Sequence, residues 1–517
     1  MLGSLTNGEK TSALLITVLM IGVLGLFTSP VSSEQIVTPP DTYISQFGPG
    51  FDEVVIASST DGLDEPRDLE FHPGIGRSDE LWVVNRADDS MVILHETGTP
   101  EQTSEERLDA YRNHFMEEVS AIAFGAYHDE FDYQFGTAQE SRNTYNGASN
   151  PNDFMGPALW PSSLDHFAVE NQNGENGLLG SHIDMLHESP LGMGIAHDYD
   201  NVYWYNDGFY NELVRYDFQQ DHDTGEHDHS DGIVHRYSEI ELSRFAGIPG
   251  HMTLDKDTGI LYISDTGANR VLWVNTHDTT ITSVDIYDDP TRVESLAEYM
   301  RVTDVEWGIF DTGISRPSGI ALYDGTLFVS QNGNGKITGF NLDPDGKGFS
   351  NSRTVNTNAG SIMGLEVGPE GKLWYVDSLN NIVVRLDPHE DADFDQVRDS
   401  LDAYPNNSLL WSDNDGDGYA DQQGTGISDD CPDTYGSSTS GSLGCLDSDG
   451  DSWSDEDDEF PMEETQWADS DNDGYGDNQT GAEPDKCPTV QGFSRYDRMG
   501  CPDADEDGYS DPSLDWT

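Results

Sequence analysis

Between about residues 50 and 390 the apolar positions fall in short runs, rich in β-branched and aromatic residues and bounded by Gly, Asp or Asn. Such runs read as strands separated by turns. Six stretches share one order: an apolar strand, a Gly/Asp turn, an aromatic-rich strand, a polar turn and a third strand. Pro66-Arg67-Asp68-Leu69-Glu70-Phe71 with Leu81-Trp82-Val83-Val84 opens the first. Met363-Gly364-Leu365-Glu366-Val367 with Leu373-Trp374-Tyr375-Val376-Asp377 opens the last. The stretches begin near 67, 120, 193, 250, 318 and 363, a spacing that suits blades of about 40–50 residues with loop insertions. An all-β fold follows, a six-bladed β-propeller over 50–390. The strand at Glu53-Val54-Val55-Ile56 is placed to complete the last blade and close the ring.

Pro317-Ser318-Gly319-Ile320-Ala321 and the run Leu261-Tyr262-Ile263-Ser264-Asp265-Thr266-Gly267-Ala268-Asn269-Arg270-Val271 resemble NHL-repeat propellers. The resemblance implies a fold more than an activity, because that family holds both binding scaffolds and enzymes. The second stretch matches least, and its Asn-, Gly- and Ser-rich insertion, about 136–180, is expected to be a surface loop.

Lys10, the apolar run Ala13 to Phe27 and the small residues Val31-Ser32-Ser33 have the order of a secretory signal over 1–33. An uncleaved N-terminal anchor is the alternative. Residues 34–49 read as a linker. Charge narrows the partners: 98 Asp+Glu against 24 Lys+Arg give a net charge of -74 in 517 residues. That excludes nucleic acid bound by phosphate neutralisation and argues against adhesion to anionic headgroups. It favours cations, Ca²⁺ above all.

Eight of the fifteen histidines lie between 182 and 251, among them His182, His187, His197 and His251, interspersed with aspartates. Imidazole with carboxylate is a ligand set for a divalent transition metal, so these four form a candidate site for one such ion near blades three and four. Asp221 to His229 reads instead as a solvated acidic loop. Peptide-amidating lyases, metal-dependent members of the wider propeller group, start blades with Pro-His. The pairs here are Pro66-Arg67, Pro249-Gly250 and Pro317-Ser318, so no ligand carries over.

From Asp391 onward there are 35 Asp+Glu against four Lys+Arg. Five stretches follow D-x-D-x-D-x-x-x-D: Asp391, Asp393, Asp395 and Asp399; Asp413, Asp415, Asp417 and Asp421; Asp447, Asp449, Asp451 and Asp455; Asp469, Asp471, Asp473 and Asp477; Asp503, Asp505, Asp507 and Asp511. Their starts are 22, 34, 22 and 34 residues apart, so the unit is 56 residues. Oxygens at positions 1, 3, 5 and 9 of a tight loop are a calcium ligand set. Three loops carry Gly at position 6 (Gly418, Gly474, Gly508), and the other two carry an acid at position 12 (Asp402, Asp458).

The array, with Asp430-Cys431-Pro432 and Lys486-Cys487-Pro488, resembles thrombospondin type 3 repeats over 391–517. Four cysteines in an exported chain are expected to pair. Among the three connectivities the repeat favours Cys431–Cys445 and Cys487–Cys501.

The expected function is that of an exported calcium-binding surface or secreted protein, its propeller a recognition module on a calcium-stiffened stalk. The propeller face would take a protein, glycan or small-molecule ligand. The alternative is a secreted propeller metalloenzyme, a lyase or hydrolase, using the histidine site.

Overall fold

The computed structural model describes residues 43–143 and 153–512, all within the compact unit Thr38–Thr517. The signal or anchor segment lies outside the described residues.

Short strands, most of them buried on both faces, build six blades. Blade 1 pairs Pro66–Phe71, Leu81–Asn85, Ser90–His95 and Thr103–Arg107 in that order, and blade 2 pairs Val119–His128, Asp132–Gln139, Ala158–Pro161 and Asp184–Met185. Blade 4 comprises Met252–Asp255, Ile260–Asp265, Arg270–Asn275 and Trp307–Thr312, and blade 5 Pro317–Tyr323, Thr326–Gln331, Lys336–Leu342 and Phe349–Asn356. Blade 6 takes Ile362–Val367, Leu373–Asp377 and Ile382–Pro388, and its outermost strand is Phe51–Ala57 from the start of the chain. The first strand covers the edge of Ile382–Pro388 and closes the ring, as its sequence position suggested.

Blade 3 is larger than expected. After Gly192–His197, Val202–Asp207, Glu212–Asp217 and Ile233–Glu241, the strand Glu298–Thr303 joins in parallel, with Thr282–Asp285 beyond it. These two come from an excursion that leaves blade 4 and returns to its last strand. Thr282–Asp285 is a short exposed polar run, whereas Glu298–Thr303 buries Tyr299 and Val302.

The 136–180 insertion departs from a plain surface loop. It contains a blade 2 strand whose Leu159 and Trp160 are wholly buried, and it buries Phe167. Four residues ended by Pro161 are too few to show a period of two. The stretch assigned as linker is likewise packed in its described part: Ile44 and Phe47 are buried in the core of blades 5 and 6, with Phe47 edge-on to Phe328.

The recurring glycines of the blade starts follow from crowding at the axis. A Cβ on Gly194 would come within 2.3 Å of the Gly250 carbonyl, and one on Gly319 within 2.3 Å of the Met363 carbonyl. No residue larger than Gly fits there without backbone movement.

Beyond residue 390 the described residues form turns and bends with three isolated bridges. Leu410, Ala420, Cys445 and Cys501 are the buried apolar side chains among the described residues there. Disulfides join Cys431 to Cys445 and Cys487 to Cys501, the connectivity the 56-residue repeat favoured.

Candidate functional site

Each inner strand contributes apolar lining to the axis, among it Leu69, Ile122, Ile195, Met252, Ile320 and Leu365. They surround a channel cavity of about 180 Å³. Ionisable residues next to that ring make the channel chemically uneven: Asp68 and Glu70 from blade 1, His197 from blade 3, His251 and Lys256 from blade 4, and Glu366 from blade 6.

His251 Nδ1 lies 2.9 Å from Asp68 Oδ1, while its Nε2 is buried with no hydrogen-bond partner. Asp68 is held in turn by the amides of Leu69 and Ile122, each 3.0 Å away. A carboxylate on Nδ1 fixes the tautomer that leaves Nε2 as a lone pair, the arrangement of a proton acceptor or a ligand atom. Burial, then Asp68, pushes Glu366 up to about 8, and burial, then Glu366, pushes Glu70 well above the usual carboxylate range. Glu366 thereby stands ready to donate at neutral pH. Lys256 Nζ is 2.8 Å from His197 Nδ1, and burial, then that ammonium, brings His197 down to about 4.

The four histidines expected to share a site are distributed. His197 and His251 line the channel. His182 is buried, stacked on Phe115 at 3.6 Å, with Nδ1 2.8 Å from the Leu179 carbonyl. His187 belongs to another group: its Nδ1 is 3.1 Å from Glu294 Oε2, and its Nε2 is 3.3 Å from His114 Nε2. His187, His229 and Glu294 each offer a ligand atom within 4.8 Å of the others. The loop read as solvated is only partly so. His227 is exposed, but the side chains of His222 and His229 are 14% and 12% exposed and lie against Asp184.

In the acidic array the five loops repeat one hydrogen-bond scheme. The position 6 amide donates to the position 1 carboxylate (Gln396 to Asp391, Gly418 to Asp413, Ser452 to Asp447, Gly474 to Asp469, Gly508 to Asp503). The position 2 amide donates to the acid at position 9, as Ala392 does to Asp399 and Ser448 to Asp455. Position 6 has positive φ throughout, including Gln396 at 75° and Ser452 at 89° where no glycine stands.

Carboxylates at positions 1, 3 and 5 converge to within 4.8 Å in the loops beginning at Asp391, Asp413, Asp447 and Asp469. Many of their oxygens are buried without a partner, among them Asp393 Oδ2, Asp415 Oδ2, Asp449 Oδ2 and both oxygens of Asp471. A further acid next to each of these loops feels the loop's charge. Asp402 and Asp458 stand at position 12, where burial, then the position 5 and 9 aspartates, pushes each carboxyl up. In the two Gly-bearing loops the acid is Asp429 or Asp485 from position 17, 1% and 0% exposed, each with one orphaned oxygen. Burial, then Asp473 and Asp471, pushes Asp485 up to about 6. Asp429 and Asp485 lie 56 residues apart, a signal the repeat contained, whereas the neighbouring Asp430 becomes Lys486.

No protein-family model matches the chain, and no curated protein does. Among solved structures it is similar to the PQQ-bound aldose sugar dehydrogenase of Streptomyces coelicolor, at 16% identity and TM-score 0.37, over 68% of this chain and 99% of that one. A virginiamycin B lyase of Staphylococcus aureus aligns at 11% identity and TM-score 0.36, over 65% and 98%. An auxiliary nutrient binding protein of Bacteroides ovatus aligns at 12% and 0.38, over 68% and 76%. Scores this low support neither a substrate nor a cofactor here, and the six blades rest on their own strand pairing. The chain is an all-β six-bladed propeller followed by a disulfide-bonded acidic array.

Proposed function

We propose that this is an exported calcium-binding protein whose propeller offers its channel mouth to a small-molecule or glycan ligand, and whose acidic array is ordered by Ca²⁺. The observation that carries the reading is the convergence of three carboxylates in each of four loops, many of their oxygens buried without a partner. Carboxylates so gathered repel strongly unless a cation sits among them, and hard oxygen ligands in flexible loops suit Ca²⁺. The near absence of buried apolar side chains in the array supports the same conclusion: ions and disulfides take over the work of a core. Two disulfides fit an oxidising compartment. Among the described residues no helix is long and apolar enough to cross a membrane.

The test is circular dichroism and small-angle scattering of the full chain during calcium titration. A cooperative compaction reversed by chelator is expected. A signal indifferent to calcium and chelator overturns the reading. For the channel, thermal-shift binding of a sugar and small-acid panel should give hits that His251→Ala abolishes. Hits that survive that change would put the ligand elsewhere.

A further inference from the structure

The loop between Glu212–Asp217 and Ile233–Glu241 of blade 3 folds back onto the outermost strand of blade 2, Asp184–Met185. Three side chains meet there with atoms left over. His222 Nε2 lies 3.7 Å from Asp184 Oδ2 and 3.7 Å from Asp231 Oδ1. All three atoms are buried, and none has a hydrogen-bond partner. Asp184 itself is 1% exposed.

At 3.7 Å these contacts are too long to be hydrogen bonds. A buried polar atom without a partner costs about 1–3 kcal/mol, and three converging on one point call for an occupant. Ligand bonds of ~2.0–2.2 Å opening at ~110–125° set donor atoms ~3.4–3.8 Å apart, which is the spacing of His222 Nε2 from each carboxylate oxygen. One imidazole with two carboxylates is a donor set for Zn²⁺-class ions, whereas Ca²⁺ takes oxygens alone.

The surroundings are those of a held ligand set. Asp184 keeps its other oxygen on His229 Nδ1 at 2.8 Å and on the Met185 amide at 2.6 Å. Asp231 keeps its other oxygen on the Gln220 amide at 3.1 Å. Each carboxylate is thereby turned with its free oxygen toward His222, the outer-shell support seen in metal sites.

We infer that Asp184, His222 and Asp231 bind one divalent transition-metal ion that staples blade 3's loop to the edge of blade 2. This site is independent of the acidic array. Its test keeps calcium saturating, so that loss of the array's calcium response and loss of this site read out separately.

The experiment titrates Zn²⁺ into the full chain in millimolar calcium, with Co²⁺ absorption as a second probe. One equivalent should bind, and Co²⁺ should give the intense visible bands of a low-coordinate site containing nitrogen. Asp184→Asn, His222→Gln and Asp231→Asn should each weaken Zn²⁺ binding by ~100-fold or more. His229→Gln, which acts through Asp184, should weaken it by ~10–100-fold. His227→Gln, on the exposed part of the same loop, should change nothing.

Three results would overturn the inference. The first is absence of a tight equivalent in the unmodified chain, which would leave only a histidine packed between two carboxylates. The second is binding insensitive to His222→Gln. The third is loss on Glu294→Gln or His187→Gln alone, which would put the ion in the neighbouring group. The Co²⁺ spectrum of the unmodified chain decides the matter even if Asp184→Asn fails to fold.

Discussion

Asp485→Asn separates an ion ligand from a structural hydrogen-bond acceptor, because the two roles predict opposite signs without calcium. Asp485 Oδ1 accepts the Cys487 amide at 2.7 Å, a bond asparagine preserves, and its Oδ2 has no partner. It faces the loop of Asp469, Asp471 and Asp473, whose carboxylate oxygens lie within 4.8 Å of one another. A pair of unit charges 4.8 Å apart repels by about 1 kcal/mol in water and about 3.5 kcal/mol at an effective dielectric of 20. Three such pairs give roughly 3–10 kcal/mol per loop before Asp485 is counted. The Cys487–Cys501 disulfide, closing 14 residues, opposes this with about 3 kcal/mol. Without a cation the repulsion therefore equals or exceeds the cross-link.

Replacing Asp485 by asparagine should lower calcium affinity at that loop by ~10–100-fold, about 1.4–2.7 kcal/mol. In chelator the same change should raise the melting temperature of the array, since it relieves repulsion. Isothermal titration and melting curves at fixed salt, with and without calcium, measure both arms. Asp433→Asn, on an exposed residue, is the control. Equal destabilisation in calcium and in chelator would refute the ligand role, and so would unchanged calcium affinity.

Gln396→Gly and Ser452→Gly should each stabilise the calcium-loaded chain by about 0.5–1 kcal/mol, since both residues hold positive φ where the sister loops use glycine. An unchanged or lower denaturation midpoint would contradict that. Glu366 keeps its proton up to about pH 8 in the fold but only to its ordinary 4.5 once unfolded, so it favours the folded state at low pH and loses that contribution as pH rises from about 5 to 8. Glu366→Gln should therefore match the parent's melting temperature near pH 5 and exceed it at pH 8; parallel curves would count against a raised value. Gly319→Ala should cost about 1–3 kcal/mol, because its methyl group meets the Met363 carbonyl at 2.3 Å. A neutral result in chemical denaturation would mean the inner strands can spread.

What was legible in the sequence was local. A strand shows itself within six residues through its β-branched and aromatic content, so all six inner strands stood out. The calcium-type loops showed themselves within nine residues, and the 56-residue register paired the cysteines. Strands of two to six residues with polar faces, such as Asp184–Met185 and Thr282–Asp285, fell below that signal. The buried role of Asp429 was hidden by its acidic neighbour Asp430, although its repeat partner Asp485 lies in register.

By itself the sequence determined the blade count, the closing strand, the loop array and its disulfides, because strands and loops each carry a short local pattern that repeats along the chain and can be counted. Tertiary structure decided which charged residues meet. Asp68 and His251 face each other across the channel from blades 1 and 4, 183 positions apart. His197 and His187, ten positions apart, go to different places: the first turns to the channel and the second to Glu294. A histidine's partner depends on which strand edge a long loop folds back upon, and that is set by closure of the ring as a whole. No spacing in the chain encodes it.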